Sequence, residues 1–475
     1  MDAGIPTTEE TGPQSDDSIP GDRARTRRKP AGRKPKPCID AAVAAIGAAG
    51  VVRKAFPGLS GRFAAIADPR RQDMCRYSGS HMWWSGTMMF LTRAQSRNAY
   101  DLTRNSGEAP KNMGEFCGQR AEDPRFEGQA LITCTDNLAH HLRRVPAAEV
   151  ESISAELCGE LLRRRVFDNA RVLDCWYVLV FDGTVEELCR KGFEEGGKSG
   201  GRAGAPYRYV LQCGLLGPGN TFFPLMHEHC DMHDPKTEKE DCELKAFVRL
   251  VARLKKRFPR LGFCITGDSL FCTEGLADIC VLNGWKYVLT LKEGRQPTLW
   301  EELLTLLPLN PQNVLRVHTG QDAQIALRDF RWVEHLPLGR HSVTAILLGE
   351  MTVGESTLYA YVTNFMVTRD RILQIIPATG RERHRIEDYF NAAKNHGIGL
   401  GHVFCAQSNG SKNFYSLMQI AGILWTIICH SFLMRVYEWA ARATETSLAR
   451  AIAEGMRSHR FPPLLPEPGQ LRFIT

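Results

Sequence analysis

No two of the 15 cysteines are separated by just two residues, which excludes the paired-thiol spacing of zinc knuckles and thioredoxin-type motifs. No apolar leader follows the first methionine, so no secretory signal is expected. Scattered cysteines without an export signal read as reduced thiols of a cytosol, packed as small hydrophobes. Long unbroken hydrophobic runs are scarce as well. Residues 417–434 approach the length of a membrane span, but Gln419, Thr426, His430 and Ser431 interrupt them, and a buried core helix is the expected outcome. Acidic residues are missing between Arg23 and Lys36, where eight Arg and Lys stand. A basic arm of this kind meets a polyanion or stays solvated, and nucleic acid is the expected partner. The net charge of +7, with 43% apolar and 24% charged residues, otherwise suits a globular chain. At 475 residues the chain exceeds one compact core, so two or three domains are expected.

The pattern along the chain divides it. Residues 1–37, rich in Pro, Gly, Ser and charge, are expected to be disordered. Residues 38–170 read as a helical region for DNA binding or assembly, with helix-like apolar spacing over 41–49, 82–91, 131–144 and 149–165; 98–112 look polar and turn-like. From there the period changes. Strand-like runs at 177–181, 207–216 and 221–227 come first, the last two joined by a Gly217–Asn220 turn. A helix over 236–258, a strand over 263–267, a helix over 273–283 and a strand over 286–292 follow. Three antiparallel strands, helix, strand, helix, strand is the order of a ribonuclease-H-like α/β fold, whose first part then spans 171–292. Four further strand-like runs between 313 and 365 argue for a β-rich insertion at 293–366 rather than a structureless loop. The core resumes at 367–435 with an acidic helix over 380–396 and the buried helix, and 436–475 form a C-terminal tail.

Two of the buried strands run into an aspartate, Asp182 after Tyr177-Val-Leu-Val-Phe and Asp268 after Ile265-Thr-Gly. A strand ending in Asp is usually a turn or cap. The acidic helix adds specificity. Arg383, Glu387, Asn391 and Lys394 fall on one stripe at offsets of four, four and three, while Ile386, Phe390 and Ala393 line a face that can dock on the sheet. The bland alternative is a solvated face with an Arg–Glu ion pair. Three carboxylates converging from rigid elements are what two divalent ions need for phosphodiester chemistry. Asp182, Asp268 and Glu387 are the candidate metal ligands and catalytic residues. Arg383, Asn391 and Lys394 are the candidate DNA contacts, the two cations offsetting the repulsion between carboxylates and phosphates.

At these residues the chain resembles the DDE transposases of bacterial insertion sequences, in particular the group with a Y-x2-R-x3-E-x6-K helix and a preceding β insertion. Arg383, Glu387 and Lys394 match that spacing, and Gly380 stands where the motif has tyrosine. Asp182-Gly-Thr, Lys239-Glu-Asp-Cys-Glu-Leu-Lys-Ala-Phe247, Gly267-Asp-Ser-Leu-Phe271, Gly284-Trp-Lys-Tyr-Val288, Lys394-Asn-His-Gly397 and His402-Val-Phe-Cys405 also look like that family's text. The likeness covers about residues 60–435. It implies Mg²⁺ or Mn²⁺, two ions, cleavage at element ends followed by strand transfer, and a dimer or larger complex on terminal inverted repeats and target DNA. It also implies a bacterial cytoplasmic protein that associates with the nucleoid through DNA. The alternatives are a catalytically retired relative that still binds DNA and a structure-specific nuclease of the same fold.

Three other stretches hold chemistry. His227-Glu-His-Cys-Asp-Met-His233-Asp234 is dense in metal donors, with the polar end of a strand as the plain alternative. The glycine-rich run 192–204, carrying Lys198-Ser199, reads as a flexible loop near the first aspartate that touches DNA through Lys191, Lys198 and Arg202. Trp300 and Trp332 fall in the insertion, where one reading stacks them on a base and the commoner one buries them.

Overall fold

A computed structural model describes residues 38–463 apart from 130, 195–196, 199–203, 231–241, 320–325, 353 and 432–442. The basic arm, Arg202, the 231–234 part of the histidine cluster and the last residues of the tail therefore lie outside the described residues. From Cys38 onward the chain forms one compact unit.

Helices come first: α1 (Ala41–Ala55), α2 (Leu59–Ala65), α3 (Gly79–Leu91), α4 (Arg97–Thr103), α5 (Ala109–Cys117), α6 (Thr135–Leu142) and α7 (Ala147–Arg163). The polar stretch at 98–112 is not a turn but holds α4 and the start of α5. Ser96 caps α4 through the Ala99 N–H, and Pro110 opens α5 at a position where its missing N–H costs nothing. All of α3 but its first glycine is buried, including Trp83 and Trp84.

Next come β1 (Tyr177–Leu188), β2 (Tyr207–Gly217), β3 (Thr221–His229), α8 (Glu243–Arg257), β4 (Phe263–Gly267), α9 (Glu274–Asn283) and β5 (Lys286–Thr290). They are followed by α10 (Pro297–Leu306), β6 (Val314–Thr319), β7 (Ala326–Leu338), β8 (His341–Thr352), β9 (Glu355–Thr363), α11 (Arg369–Ala378), α12 (Arg385–Asn395), α13 (Ser408–His430) and α14 (Glu445–Ser458). The nine strands make one mixed sheet in the order β3-β2-β1-β4-β5-β9-β8-β7-β6. β1, β2 and β3 pair antiparallel, and β4 and β5 run parallel to β1. The strands expected of an insertion join the same sheet, because β9 pairs antiparallel with β5.

β1 is longer than its apolar run. It continues seven residues past Phe181 because Glu186 and Glu187, both buried, find partners inside. Glu186 accepts from Ser411 Oγ at 2.9 Å and faces His229 Nδ1 at 2.9 Å, and Glu187 pairs with Arg208 at 3.1 Å. α8 buries Phe247, Leu250, Val251 and Leu254, but Val248 is exposed. Two of its basic residues are not simply solvated, since Arg249 and Arg253 donate to Glu228 at 2.7 and 2.6 Å.

α12 packs on β1 and β3 through Ile386, Phe390 and Ala393, all buried, and a single 3₁₀ turn at Gly380–Glu382 precedes it. Its C-terminal end is held by the helical region. Arg93, whose side chain is 5% exposed, donates to His396 O at 2.8 Å and Glu445 at 2.9 Å and lies over the Trp425 ring. Arg93 and Gln95 both adopt positive φ, a strained choice for non-glycine residues, where they meet Gly397 and Gly399. α13 carries the long apolar stretch and is buried along nearly its whole length. Among the described residues no single helix is long and apolar enough to cross a membrane.

Candidate active site

Asp182 does not end its strand, as the apolar run suggested, but sits inside β1 opposite Gln212 of β2. Its Oδ1 accepts the Gly183 N–H at 3.0 Å. Asp268 directly follows β4 and caps a short 3₁₀ turn, accepting the Leu270 N–H at 2.9 Å. The last β1–β4 pair is Val180 with Thr266, and each aspartate lies two residues further on its own chain. Neighbouring strands are about 4.8 Å apart, but the β1–β4 pairing stops short of both aspartates and Asp268 already belongs to the turn after β4. Both are partly buried.

The stripe on the acidic helix forms as read, with one adjustment: Arg383 belongs to the turn just before α12. Its guanidinium meets Glu387 at 2.5 Å, the (i, i+4) ion pair of the bland reading, and the Glu387 side chain is 50% exposed. Asn391 is exposed and accepts from Asn395 Nδ2 at 2.6 Å. Lys394 is exposed on the same side.

The electrostatics join these elements. Burial raises the Asp182 carboxyl from its ordinary 3.8 to about 7, with Glu387 and Glu243 pushing the same way and Arg383 opposing them. Partial burial lowers the Lys394 ammonium, and Asp182 pulls it back up. Asp182 thus feels residues of α8, α12 and the turn before α12. A carboxyl raised in the fold contributes stability that is whole below pH 3.8 and is lost as pH rises through about 7. Asp182→Asn is therefore expected to gain thermal stability relative to the native chain as pH rises from 4 to 8. Melting curves across that range check it, and a pH-independent difference would contradict a carboxyl raised by burial at Asp182.

Among the described residues no three His, Cys, Asp or Glu side chains are gathered closely enough to hold a metal ion. The donor chemistry still suits a hard divalent cation: carboxylate oxygens on a strand, on the turn after a second strand and on a helix, one of them in surroundings that disfavour its charge. Asp182, Asp268 and Glu387 are the residues that could hold it.

A cleft beside the site is lined in part by Lys292, Trp300, Tyr359, Tyr361, Arg381 and Arg383. Trp300 reaches this cleft, whereas Trp332 is buried core. Gly380 also lines it. A Cβ on Gly380 would come within 2.4 Å of the Tyr361 ring of β9, so a glycine stands where the two approach.

The other candidates resolve differently. His227 and His229 share a strand face and pack edge-on at 5.1 Å, but His229 is engaged with Glu186 and both rings lie against Tyr415. The run Gly192–Ser199 does have the G-x-x-x-x-G-K-S spacing of a nucleotide-binding phosphate loop, so ruling that motif out on spacing, as the flexible-loop reading does, is incorrect. Such a loop must open a helix. Lys198 bridges antiparallel to Tyr207 at the start of β2 through its N–H and C=O, and residues 199–203, where a helix would begin, lie outside the described residues. A neighbour of Asp182 that the sequence reading did not single out is Glu243, at the start of α8. Its only prior signal was its place in the Lys239–Phe247 segment.

No protein-family model matches the chain, and no curated protein matches it.

Proposed function

We propose that the chain is a metal-dependent DNA transposase of the DDE type with a ribonuclease-H-like catalytic core, cutting DNA at element ends and joining the freed end to a target. The observation that supports this reading is that Asp182 and Asp268 each lie two residues beyond the last pair of the parallel β1–β4 ladder, with the Glu387 helix packed on β1. The strand order β3-β2-β1-β4-β5, antiparallel then parallel, supports the core assignment.

A divalent ion bound by these carboxylates supplies Lewis-acid stabilisation of charge on phosphate oxygens. The chain's own residues do the rest. Arg383 and Lys394 flank Glu387 on one stripe and present two cations to the phosphates on either side of the cut. Asn391, between them and exposed, offers an amide to the backbone. Rigid strands and a docked helix hold these groups, so catalysis rests on positioning and charge stabilisation without a covalent protein–DNA intermediate. Joining two ends requires at least two copies of the chain on DNA.

The test is a supercoiled plasmid carrying this gene with its native flanking DNA, incubated with the purified chain and Mg²⁺. Nicking at the flanks followed by joining to a second plasmid is expected. Cutting without joining would favour a structure-specific nuclease, and binding without cutting would favour a retired relative.

A further inference from the structure

The turn that opens the acidic helix is seated on strands from the far half of the sheet. α11 ends at Ala378, and the buried Thr379 turns the chain, its hydroxyl donating to Ile375 O at 2.6 Å. Gly380 then lies so close to the Tyr361 ring of β9 that a Cβ would clash with it. The next side chain, Arg381, lies over the Tyr359 ring, its guanidinium carbon 4.1 Å from the ring centre. Alternate residues of a strand share a face, so one face of β9 receives two successive residues of the turn.

Charge fixes the same seat. Arg381 pairs with Glu350 of β8 at 2.9 Å, and Glu350 also accepts from Arg328 Nε of β7 at 2.7 Å. Arg328 and Glu350 stand directly opposite each other in the β7–β8 ladder. The Glu350 side chain is only 12% exposed, so salt screens the pair little. Three strands thus hold one arginine, which stands two residues before Arg383 and six before Glu387. The apolar face of α12, Ile386, Phe390 and Ala393, cannot do this alone. Apolar contact is non-directional and lets a helix slide along the surface it covers, whereas a guanidinium–carboxylate pair has a fixed geometry.

We propose that Arg381 is a positioning residue for the acidic helix: through Glu350 and Tyr359 it sets the axial position of α12, and with it where Arg383 and Glu387 stand. This rests on the reading of that helix as part of a DNA-cutting site.

Two measurements on the full chain test it. The first is hydrogen exchange without DNA. Arg381→Met, which keeps the stem and removes the guanidinium, and Glu350→Gln are each expected to speed exchange of the α12 amides severalfold and leave α13 unchanged. Unchanged exchange in α12 overturns the proposal. The second is nicking of the plasmid with native flanks, followed against DNA concentration. Arg381→Met is expected to lower kcat about tenfold or more and to change KM by less than about twofold, since a displacement of about 1 Å can cost about 100-fold. Glu350→Gln should lower kcat as well, and the double variant should be no worse than Arg381→Met alone. A raised KM with unchanged kcat in Arg381→Met makes Arg381 a direct DNA contact and overturns the proposal. So does nicking by Glu350→Gln at the native rate. Should Arg381→Met fail to fold, Glu350→Gln carries both measurements. A native chain that never nicks, but whose α12 exchange responds to both substitutions, upholds the seat and sinks the reading of the helix as catalytic.

Discussion

Alanine in place of Asp182, Asp268 or Glu387 is expected to reduce Mg²⁺-dependent nicking by at least about 100-fold, because even groups that only orient metal ligands cost 10- to 100-fold when removed. The three losses should not add. Each carboxylate serves one centre, so a double variant is expected to be little worse than the more severe single one. Asp182 lies in β1 and Asp268 just after β4, and among the described residues neither makes an ion pair that would explain its place structurally. Glu387 does have such a partner in Arg383, and this is what makes its variant the sharpest of the three. If Glu387 were only half of a surface ion pair, its loss would cost 1 kcal/mol or less, on the order of exposed pairs generally, and leave nicking intact. Rates measured on the plasmid carrying the native flanks separate the two outcomes, and full activity in all three variants would end the assignment.

Arg208→Met is expected to cost about 3–5 kcal/mol of stability at pH 8, the usual penalty for leaving a buried charge without its partner. Arg208 and Glu187 are 8% and 3% exposed, 3.1 Å apart, and far from any compensating solvent. Arg208 also donates to Ala406 O at 2.9 Å and lies over the Phe193 ring, so it ties β2 to the chain that follows α12. The effect has a sign in pH. Burial, with Glu186 beside it, pushes the Glu187 carboxyl up to about 7, while His229 and Ser411 hold Glu186 below its ordinary range. A raised acid contributes stability that is whole below its unfolded value of 4.5 and is lost as pH rises through about 7. Below that window Glu187 is neutral and needs Arg208 less, so the destabilisation should shrink by pH 5. Denaturant titrations at pH 5 and 8 check this, and an equal loss at both would contradict a charged Glu187 as its cause.

The strands of the core were legible because their runs are apolar on both faces and bounded by glycine or polar turns, as at 263–267. The docking face of α12 was legible for the same kind of reason, since Ile386, Phe390 and Ala393 recur at helical spacing and are all buried. What escaped was governed by tertiary partners. The end of β1 could not be read because a Glu-Glu pair normally marks solvent, and only His229, Ser411 and Arg208, all distant in the chain, make it interior. α4 and α5 are short and polar, with caps rather than apolar stripes to define them. That β6 to β9 extend the central sheet depends on a single antiparallel pairing between β5 and β9, which no local pattern encodes. In the site, the two aspartates and the Glu387 stripe were readable from spacing. The nearness of Glu243 to Asp182 was not, because it depends on how α8 packs against β1 and β2, where the Tyr209 hydroxyl donates to Glu243.

The most direct measurement is an anomalous-difference map from crystals of the chain soaked in Mn²⁺. The account predicts a peak between Asp182 and Asp268, with carboxylate oxygens at about 2.0–2.2 Å and Glu387 completing the set. A map with no peak there, or with manganese held elsewhere while Arg383 keeps Glu387 to itself, would contradict it.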